Sequence, residues 1–296
     1  MELSDVALTH NGKFHADDVF AASLLSIVRP GITIRRVSSV PENFDGLVFD
    51  IGRGRFDHHQ KDAEIRENGI PYAAFGLLWR EFGQSVFLKD CGPEDAAKEA
   101  AIFDEKFIQP LDEDDNTGCG NQLAGIISAF NPSWDSGADA DTCFTEAVSF
   151  AGVILHKKFE SVFGQQRAKA FVAEALASAA ENSIVTLTRF APWKSALMPS
   201  SAEFVIYPSQ RGGYNAQAVP KSPDGEEVKC PFPQEWAGKE NEELQTASGL
   251  KALRFCHKGR FLIAAETLEG AKEACRLAGQ SILEKQERRS SICESV

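Results

Sequence analysis

Thr9-His10-Asn11-Gly12-Lys13-Phe14-His15-Ala16-Asp17-Asp18 is the stretch on which the reading of this chain turns. It follows an apolar run, Val6-Ala7-Leu8, that reads as a strand. It leads into Val19–Val28, which reads as a helix capped by Asp17 or Asp18 and stopped at Pro30-Gly31. Further strands are expected over Thr33–Val40 and Gly46–Ile51, the second closing on Gly52. Strand, helix and strand joined by short loops predict an α/β fold with a doubly wound, mainly parallel sheet. In such a sheet, ligands gather beyond the carboxyl ends of the strands. His10 is placed there, and the Asn11-Gly12 turn lets His15 and Asp17 fold back towards the same spot.

Working outward, Phe56-Asp57-His58-His59 repeats the chemistry. The chain has 6 histidines, and four of them fall in these two segments. Imidazole and carboxylate at close spacing are ligands for Mn²⁺, Fe²⁺ or Zn²⁺, and the mixture suits two adjacent metals better than one tetrahedral zinc. Asp50 ends an apolar strand, where a buried carboxylate is costly unless paired or metal-bound. Consecutive histidines on an extended segment point to opposite faces, so one of His58 and His59 is expected on metal and the other free for substrate or a proton. Each residue alone has a duller reading: a buried hydrogen-bonded His10, Asp17 as a helix cap, Asp50 paired with Arg53 or Arg55. The convergence argues for a site.

Helices are expected over Pro71–Phe82, capped by Gly83, and over Pro93–Leu111 and Cys119–Phe130, with the acidic Asp112-Glu113-Asp114-Asp115-Asn116 between the last two. Carboxylates at a helix C-terminus oppose its macrodipole, which a nearby cation would relieve. Asp141 to Asn182 reads as an almost unbroken connector helix. Beyond it the texture changes to strands over Ile184–Thr188, Glu203–Tyr207, Tyr214–Val219 and Lys251–Ala265, with turns at Arg211-Gly212-Gly213 and Lys258-Gly259, then a helix over Leu268–Arg288. Lys221–Glu243 reads as a long loop with a short helix. The expected domains are therefore residues 1–182, catalytic, and 183–296, a smaller α+β domain. His156, beside two lysines on the connector helix, is expected to be exposed. In the second domain, Arg211 with Gly212, and the turn carrying His257, Lys258 and Arg260, place positive charge beside glycines and are candidate phosphate contacts.

The 43% hydrophobic and 25% charged content is ordinary for a globular protein, and no apolar run approaches a membrane span. The N-terminus has neither the basic nor the apolar region of a signal peptide. The 7 cysteines are scattered without a C-x-x-C pair, so a reducing cytoplasm is expected and no disulfide framework. A net charge of -12 argues against tight, sequence-blind binding of long duplex.

His10-x₄-His15-x-Asp17, Asp50, Asp57-His58-His59 and Asp112-x-x-Asp115-Asn116 together resemble the DHH phosphoesterase superfamily. The phrase from His10 to Asp18 is similar to its branch named for melanocyte proliferating gene (MYG), as are Tyr207–Pro220 and Phe255–Ala265. The resemblance implies a two-lobed hydrolase with two divalent metal ions, usually Mn²⁺, with Mg²⁺, Fe²⁺ or Zn²⁺ as alternatives. Carried over by position, His10 and His15 hold one metal, while Asp17, His58 and Asp115 hold the second. Asp50 bridges them, and His59 meets the scissile phosphate. Asp18 and Asp57 join His59 as candidate catalytic groups. Asp112 stands beside Asp115 as an alternative ligand. The spacing departs from much of the superfamily at His15 and between Asp50 and His58, and both departures match the MYG-like branch.

The activity implied is 3′–5′ exonuclease-type phosphodiester hydrolysis on short single-stranded RNA or another oligonucleotide. The rivals are hydrolysis of pyrophosphate or a small nucleotide, and a non-catalytic metal-binding regulatory protein. No membrane partner is expected, and a homo-oligomer is left open.

Overall fold

A computed structural model describes residues 5–181, 183–223 and 225–293, the side chains as far as Ser281. Met1–Ser4, on which part of the N-terminal reading falls, Asn182 at the expected domain boundary, and Asp224 in the long loop lie outside the described residues. The fold is mixed α/β with two sheets. It divides into compact units of residues 1–164 and 165–296.

In the first unit, β1 (Val6–His10) is central, with β2 (Thr33–Val37) and β3 (Leu47–Val48) parallel to it on either side. The helix after β1, α1 (Ala16–Val28), is buried without interruption from Ala16 to Leu25, as a helix apolar around its whole circumference must be. It packs on α2 (Ala74–Phe87). Two expectations shift here. α2 starts later than Pro71 and runs on through Gly83, whose missing Cβ admits the Trp79 ring. β3 stops at Val48 because Asp50 leaves the strand with φ +53° and donates its N–H to the Phe56 carbonyl.

After α3 (Pro93–Phe103) and one π-helical stretch (Asp104–Ile108), α4 spans Gln109–Thr117. The acidic residues read as a break between helices are therefore inside one. It closes at Gly118, φ +67°, ahead of α5 (Gln122–Ser128). Trp79 stacks on Phe103 and Phe159 in the core of this unit, and Phe87 meets all three rings edge-on. α6 (Ala140–Ala177) follows, and the division between the units falls inside it.

The second unit holds a five-stranded sheet of β4 (Ile184–Thr186), β5 (Phe204–Pro208), β6 (Tyr214–Ala218), β7 (Leu253–Cys256) and β8 (Leu262–Ala265), in the order β4-β5-β6-β8-β7. Only β4 and β5 are parallel. α7 (Lys194–Leu197), α8 (Asn241–Ser248) and α9 (Leu268–Cys293) complete it. Lys251–Ala265 is the β7–β8 hairpin, with its turn at Lys258-Gly259 as the sequence predicts. Within the long loop lie the 3₁₀ turn Gln234–Trp236 and the start of α8. Among the described residues no helix is long and apolar enough to cross a membrane.

Candidate metal centre

The site assembles at the carboxyl edge of the parallel sheet, where β1 ends in His10 and the chain after β3 reaches Asp50. His10 Nδ1 accepts the Gly12 N–H at 3.1 Å, which turns Nε2 towards Asp18 Oδ2 at 3.2 Å and Asp50 Oδ2 at 3.1 Å. Those two carboxylates push the imidazole up to about 10. The Gly12 contact requires an Nδ1 without a proton, so Nε2 is the position for the one proton, or for a cation in its place. His15, the residue before α1, donates its N–H to Asp18 Oδ1 at 3.0 Å. Its Nδ1 lies 3.3 Å from Asp115 Oδ1, and that carboxylate raises it.

Asp17 and Asp18 are fully buried in the first turn of α1. Burial pushes Asp17 well above the usual carboxylate range, and the negative Asp50, Asp115 and Asp18 add to it. Asp17 Oδ1 has no hydrogen-bond partner. Burial raises Asp18 as well, partly offset by His10. The positive φ of Asp50 costs about 1 kcal/mol and is the kind of strain concentrated at functional sites.

The adjacent histidines depart from the expectation of opposite faces. Asp57 accepts the His59 N–H at 3.0 Å and the Arg53 N–H at 2.6 Å, so the segment turns instead of extending. Both rings then converge, with Nε2 to Nε2 3.2 Å apart and centroids 4.2 Å apart. His58 Nε2 is also 3.3 Å from Asp115 Oδ2 and 3.5 Å from Asp50 Oδ1. Burial separates the two rings where direction does not: the His58 side chain is 5% exposed and that of His59 58%. His59 Nδ1 sits 2.9 Å from Asp57 Oδ1. Burial alone would raise Asp57, but its bonds to the His59 ring and to the two amides prevail and take it down to about 2. In return Asp57 raises His59.

The donor atoms form three groups that could hold a cation: Asp50, His58 and His59; His10, Asp18 and Asp50; His15, Asp17 and Asp115. His10 and His15 fall in different groups. Five buried or nearly buried carboxylates meet four imidazoles, and Asp17 Oδ1 is left orphaned. Such an acidic, oxygen-rich set fits divalent cations. Beside it opens a pocket of about 370 Å³, lined by Lys13, His15, Asp115, Asn121 and Ser128 among others.

Asp112 stays out of these groups. It is fully buried, accepts Arg66 Nη2 at 2.7 Å and the Gly76 N–H at 3.2 Å, and burial pushes it up to about 7 against the pull of Arg66. Gly76 is required, because a Cβ there would strike both Asp112 and Arg66.

Residues the sequence did not single out hold the loop in place. Asn131 clamps Phe14 in both directions, accepting its N–H at 3.1 Å and donating to its carbonyl at 2.9 Å. Arg36 donates to the Gly12 carbonyl and to Asp141 and lies over the Phe14 and Phe144 rings. These partners are over a hundred residues apart or on another strand, and no local pattern marks them.

In the second unit, Arg211 and Gly212 occupy the β5–β6 turn, and His257, Lys258 and Arg260 the β7–β8 turn. The register sets these turns at opposite ends of the sheet. Tyr214 pairs with Ala265 beside the first turn, and Ala218 N–H donates to the Phe261 carbonyl beside the second. The length of β6, about 13 Å, separates them, so the two turns do not grip one phosphate.

Residues 6–279 match the family model MYG1_exonuc, described as Uncharacterised protein family (UPF0160). The chain belongs to this MYG1 family. It is 29% identical to the human protein named MYG1 exonuclease over 328 residues, covering 93% of this chain and 86% of that one. A MYG1 protein of Saccharomyces cerevisiae is 24% identical, covering 94% and 96% of the two chains, and one of Chlamydia pneumoniae is 28% identical, covering 92% and 96%. No solved structure matches the chain.

Proposed function

We propose that the protein is a metal-dependent phosphoesterase of the DHH type, with the doubly wound sheet that type implies. Its proposed reaction is hydrolysis of a phosphodiester at the end of a short single-stranded RNA or oligonucleotide, in the 3′–5′ direction. One observation carries the reading: four imidazoles and four carboxylates drawn from β1, the turn after it, α1, α4 and the loop after β3 form donor groups at one sheet edge, with a buried carboxylate oxygen left unpaired. The exonuclease name carried by the mammalian relatives supports nuclease chemistry.

In this reading Asp50, present in two of the three donor groups, spans two ions. His10 and Asp18 lie on one side of it, and His58, Asp115, His15 and Asp17 on the other. Mn²⁺ is the first candidate. When bound by these residues, two such ions would supply activation of a water at neutral pH and charge stabilisation on the leaving oxygen. The chain's residues do the rest. Asp57 stays anionic and fixes the His59 ring through Nδ1, and the half-exposed His59 donates to a phosphate oxygen. The Gly12 N–H orients the His10 ring, and Asp18 holds the His15 backbone through Oδ1. The adjoining pocket of about 370 Å³ is the size of one nucleotide end, which favours a terminus or a small nucleotide over duplex. Arg211 in the second unit is the substrate contact retained from the sequence reading.

Elemental analysis of protein soaked in Mn²⁺ and desalted should give more than one equivalent per chain. The loaded protein should cleave bis(p-nitrophenyl) phosphate and shorten a labelled RNA hexamer one nucleotide at a time from its 3′ end. Zero bound metal, or metal without cleavage of either substrate, would sink the proposal.

A further inference from the structure

The sheet of the second unit has one covered face and one partly open face. Phe204, Ile206, Ala216, Ile263 and Ala265 lie in the core beneath α9. On the other side Val205 and Tyr207 belong to a second buried cluster that includes Trp193 and Leu197. Beyond them one row of residues crosses four strands in register: Tyr207 opposite Asn215, Asn215 opposite Ala264, Ala264 opposite Phe255. Residues opposite one another share a face. The row therefore reads aromatic, amide, small, aromatic, and the small Ala264 leaves a floor between taller walls.

A cavity of about 590 Å³ stands on this row. Phe190, 57% exposed, forms one wall with Tyr207, its ring edge-on at 5.1 Å. Phe255 and Arg254 form another. Neighbours on a regular strand point to opposite faces. Here a register shift between Leu253 and Phe255 makes Arg254 an extra residue, so both line the same cavity. Bulges that re-aim a side chain in this way are concentrated at functional sites.

Arg254 is held from behind, donating to the Gly212 carbonyl, while its Nε is buried with no acceptor. Gly213, φ +67°, lies so close that a Cβ would strike Arg254 and the Ala265 carbonyl. Arg211 joins Arg254 on the lining, and among the described residues no carboxylate does. In a chain of net charge -12 that is a local inversion of sign.

Flat aromatic walls, an amide with both donor and acceptor, and two guanidinium groups without a carboxylate are the elements of nucleotide recognition. Bases stack on aromatic faces, amides read their edges, and guanidinium groups take phosphate. We propose that this open sheet face is a base-binding subsite for one nucleotide of a single-stranded oligonucleotide. The base lies over Ala264 between Phe255 and the Phe190–Tyr207 pair, with Asn215 at its edge and its phosphate at Arg254 and Arg211. The inference rests on the phosphoesterase reading only for the choice of a nucleic-acid strand as occupant.

The test is fluorescence anisotropy on the full chain in EDTA, where turnover is absent. It uses two labelled RNA hexamers, one complete and one with its bases replaced by abasic sugars. The complete strand should bind more tightly. Phe255→Ala should weaken it by at least about 5-fold, the lower end of a lost base stack, and Phe255→Tyr should restore it. Phe255→Ala should leave the abasic strand unchanged. Asn215→Ala and Ala264→Met, which fills the floor, are second and third variants, and a thermal melt of each shows that it folds. Equal binding of the two strands by the wild type, equal weakening of both by Phe255→Ala, or no effect in any folded variant would overturn the subsite. Cleavage of bis(p-nitrophenyl) phosphate by the wild-type Mn²⁺ form is the separate control. Its loss alone would strike the phosphoesterase reading and leave the base-binding result standing.

Discussion

Asp112 and Asp115 stand one turn apart on α4 and end in opposite chemical surroundings. Asp112 enters a closed cluster in which Arg66 uses its whole fork, bonding Asp104 at 2.8 and 3.0 Å, Asp112 at 2.7 Å and the Pro71 carbonyl at 3.1 Å. Gln109 caps Asp104 at 2.8 Å, and the Tyr72 ring lies 3.8 Å from the guanidinium carbon. Charge and hydrogen bonds are answered within the protein. Asp115 enters a cluster in which, among the described residues, the ion pairs of Asp18, Asp50 and Asp115 are all to histidines, and Asp17 is left with an unpaired oxygen. Acidity and burial are common to both clusters. What separates them is whether a fixed cation is already present, and the cluster without one is the candidate for metal.

Four outcomes would break or sharpen that contrast, the largest first. Replacing Arg66 by Met leaves Asp112 buried and unpaired, and breaking a buried pair from one side costs about 3–5 kcal/mol. Urea unfolding should register that loss with and without Mn²⁺. A loss under about 1 kcal/mol would mean the Arg66 cluster is not what holds α4 in place.

The two histidines come next. His58→Ala, at the buried ring, should lose metal, while His59→Ala should keep its metal and lose about 10²-fold in kcat. Because the rings converge, equal metal loss in both variants would place them on one ion and remove His59 from substrate contact.

Third is pH. His10, His15 and His59 are all raised by carboxylates, so their pairing stabilises the metal-free protein fully below the ordinary histidine range, near pH 6.5. That stability fades as pH climbs towards about 10, the value for His10. Metal must displace the protons of the ligands His10 and His15, so Mn²⁺ affinity should rise with pH over the same range, by up to about tenfold per unit for each proton released. Melting temperatures in EDTA and in Mn²⁺ should therefore diverge as pH rises. Parallel curves would mean these imidazoles are not exchanging protons for metal.

The smallest effect is that of Asp17→Asn. It removes a carboxylate that burial and its neighbours disfavour, and it keeps an oxygen for the Ala74 N–H, 3.3 Å away. The metal-free protein should gain on the order of 1 kcal/mol while Mn²⁺ binding weakens. A destabilised metal-free variant would place Asp17 with Asp112 as a structural carboxylate.

Much of this was legible beforehand because it is local. β1, α1 and β2 follow from apolar patterning and α6 from an Ala-rich run without Pro, and His10, His15, Asp17 and Asp50 are tied to strand ends that patterning locates. Helix boundaries near Pro71, Gly83 and Asp112–Asn116 were misplaced, because packing against Trp79 and Arg66 overrides the local stop signals. The His58–His59 geometry was misread because an Asp57 side chain took the backbone amides of its neighbours and folded the segment.

The sequence by itself determined the mixed α/β class, the family, and the kinds of atom available at the first sheet edge. These depend on spacing along the chain and on side-chain chemistry, which the order of residues carries directly. The choice between Asp112 and Asp115 belonged to the tertiary structure. So did the separation of Arg211 from His257 by the length of β6, and the row from Tyr207 to Phe255. Each depends on strand register and on which distant side chain, Arg66 or His15, reaches a given carboxylate first. Those are long-range packing outcomes, and no window of sequence contains both partners.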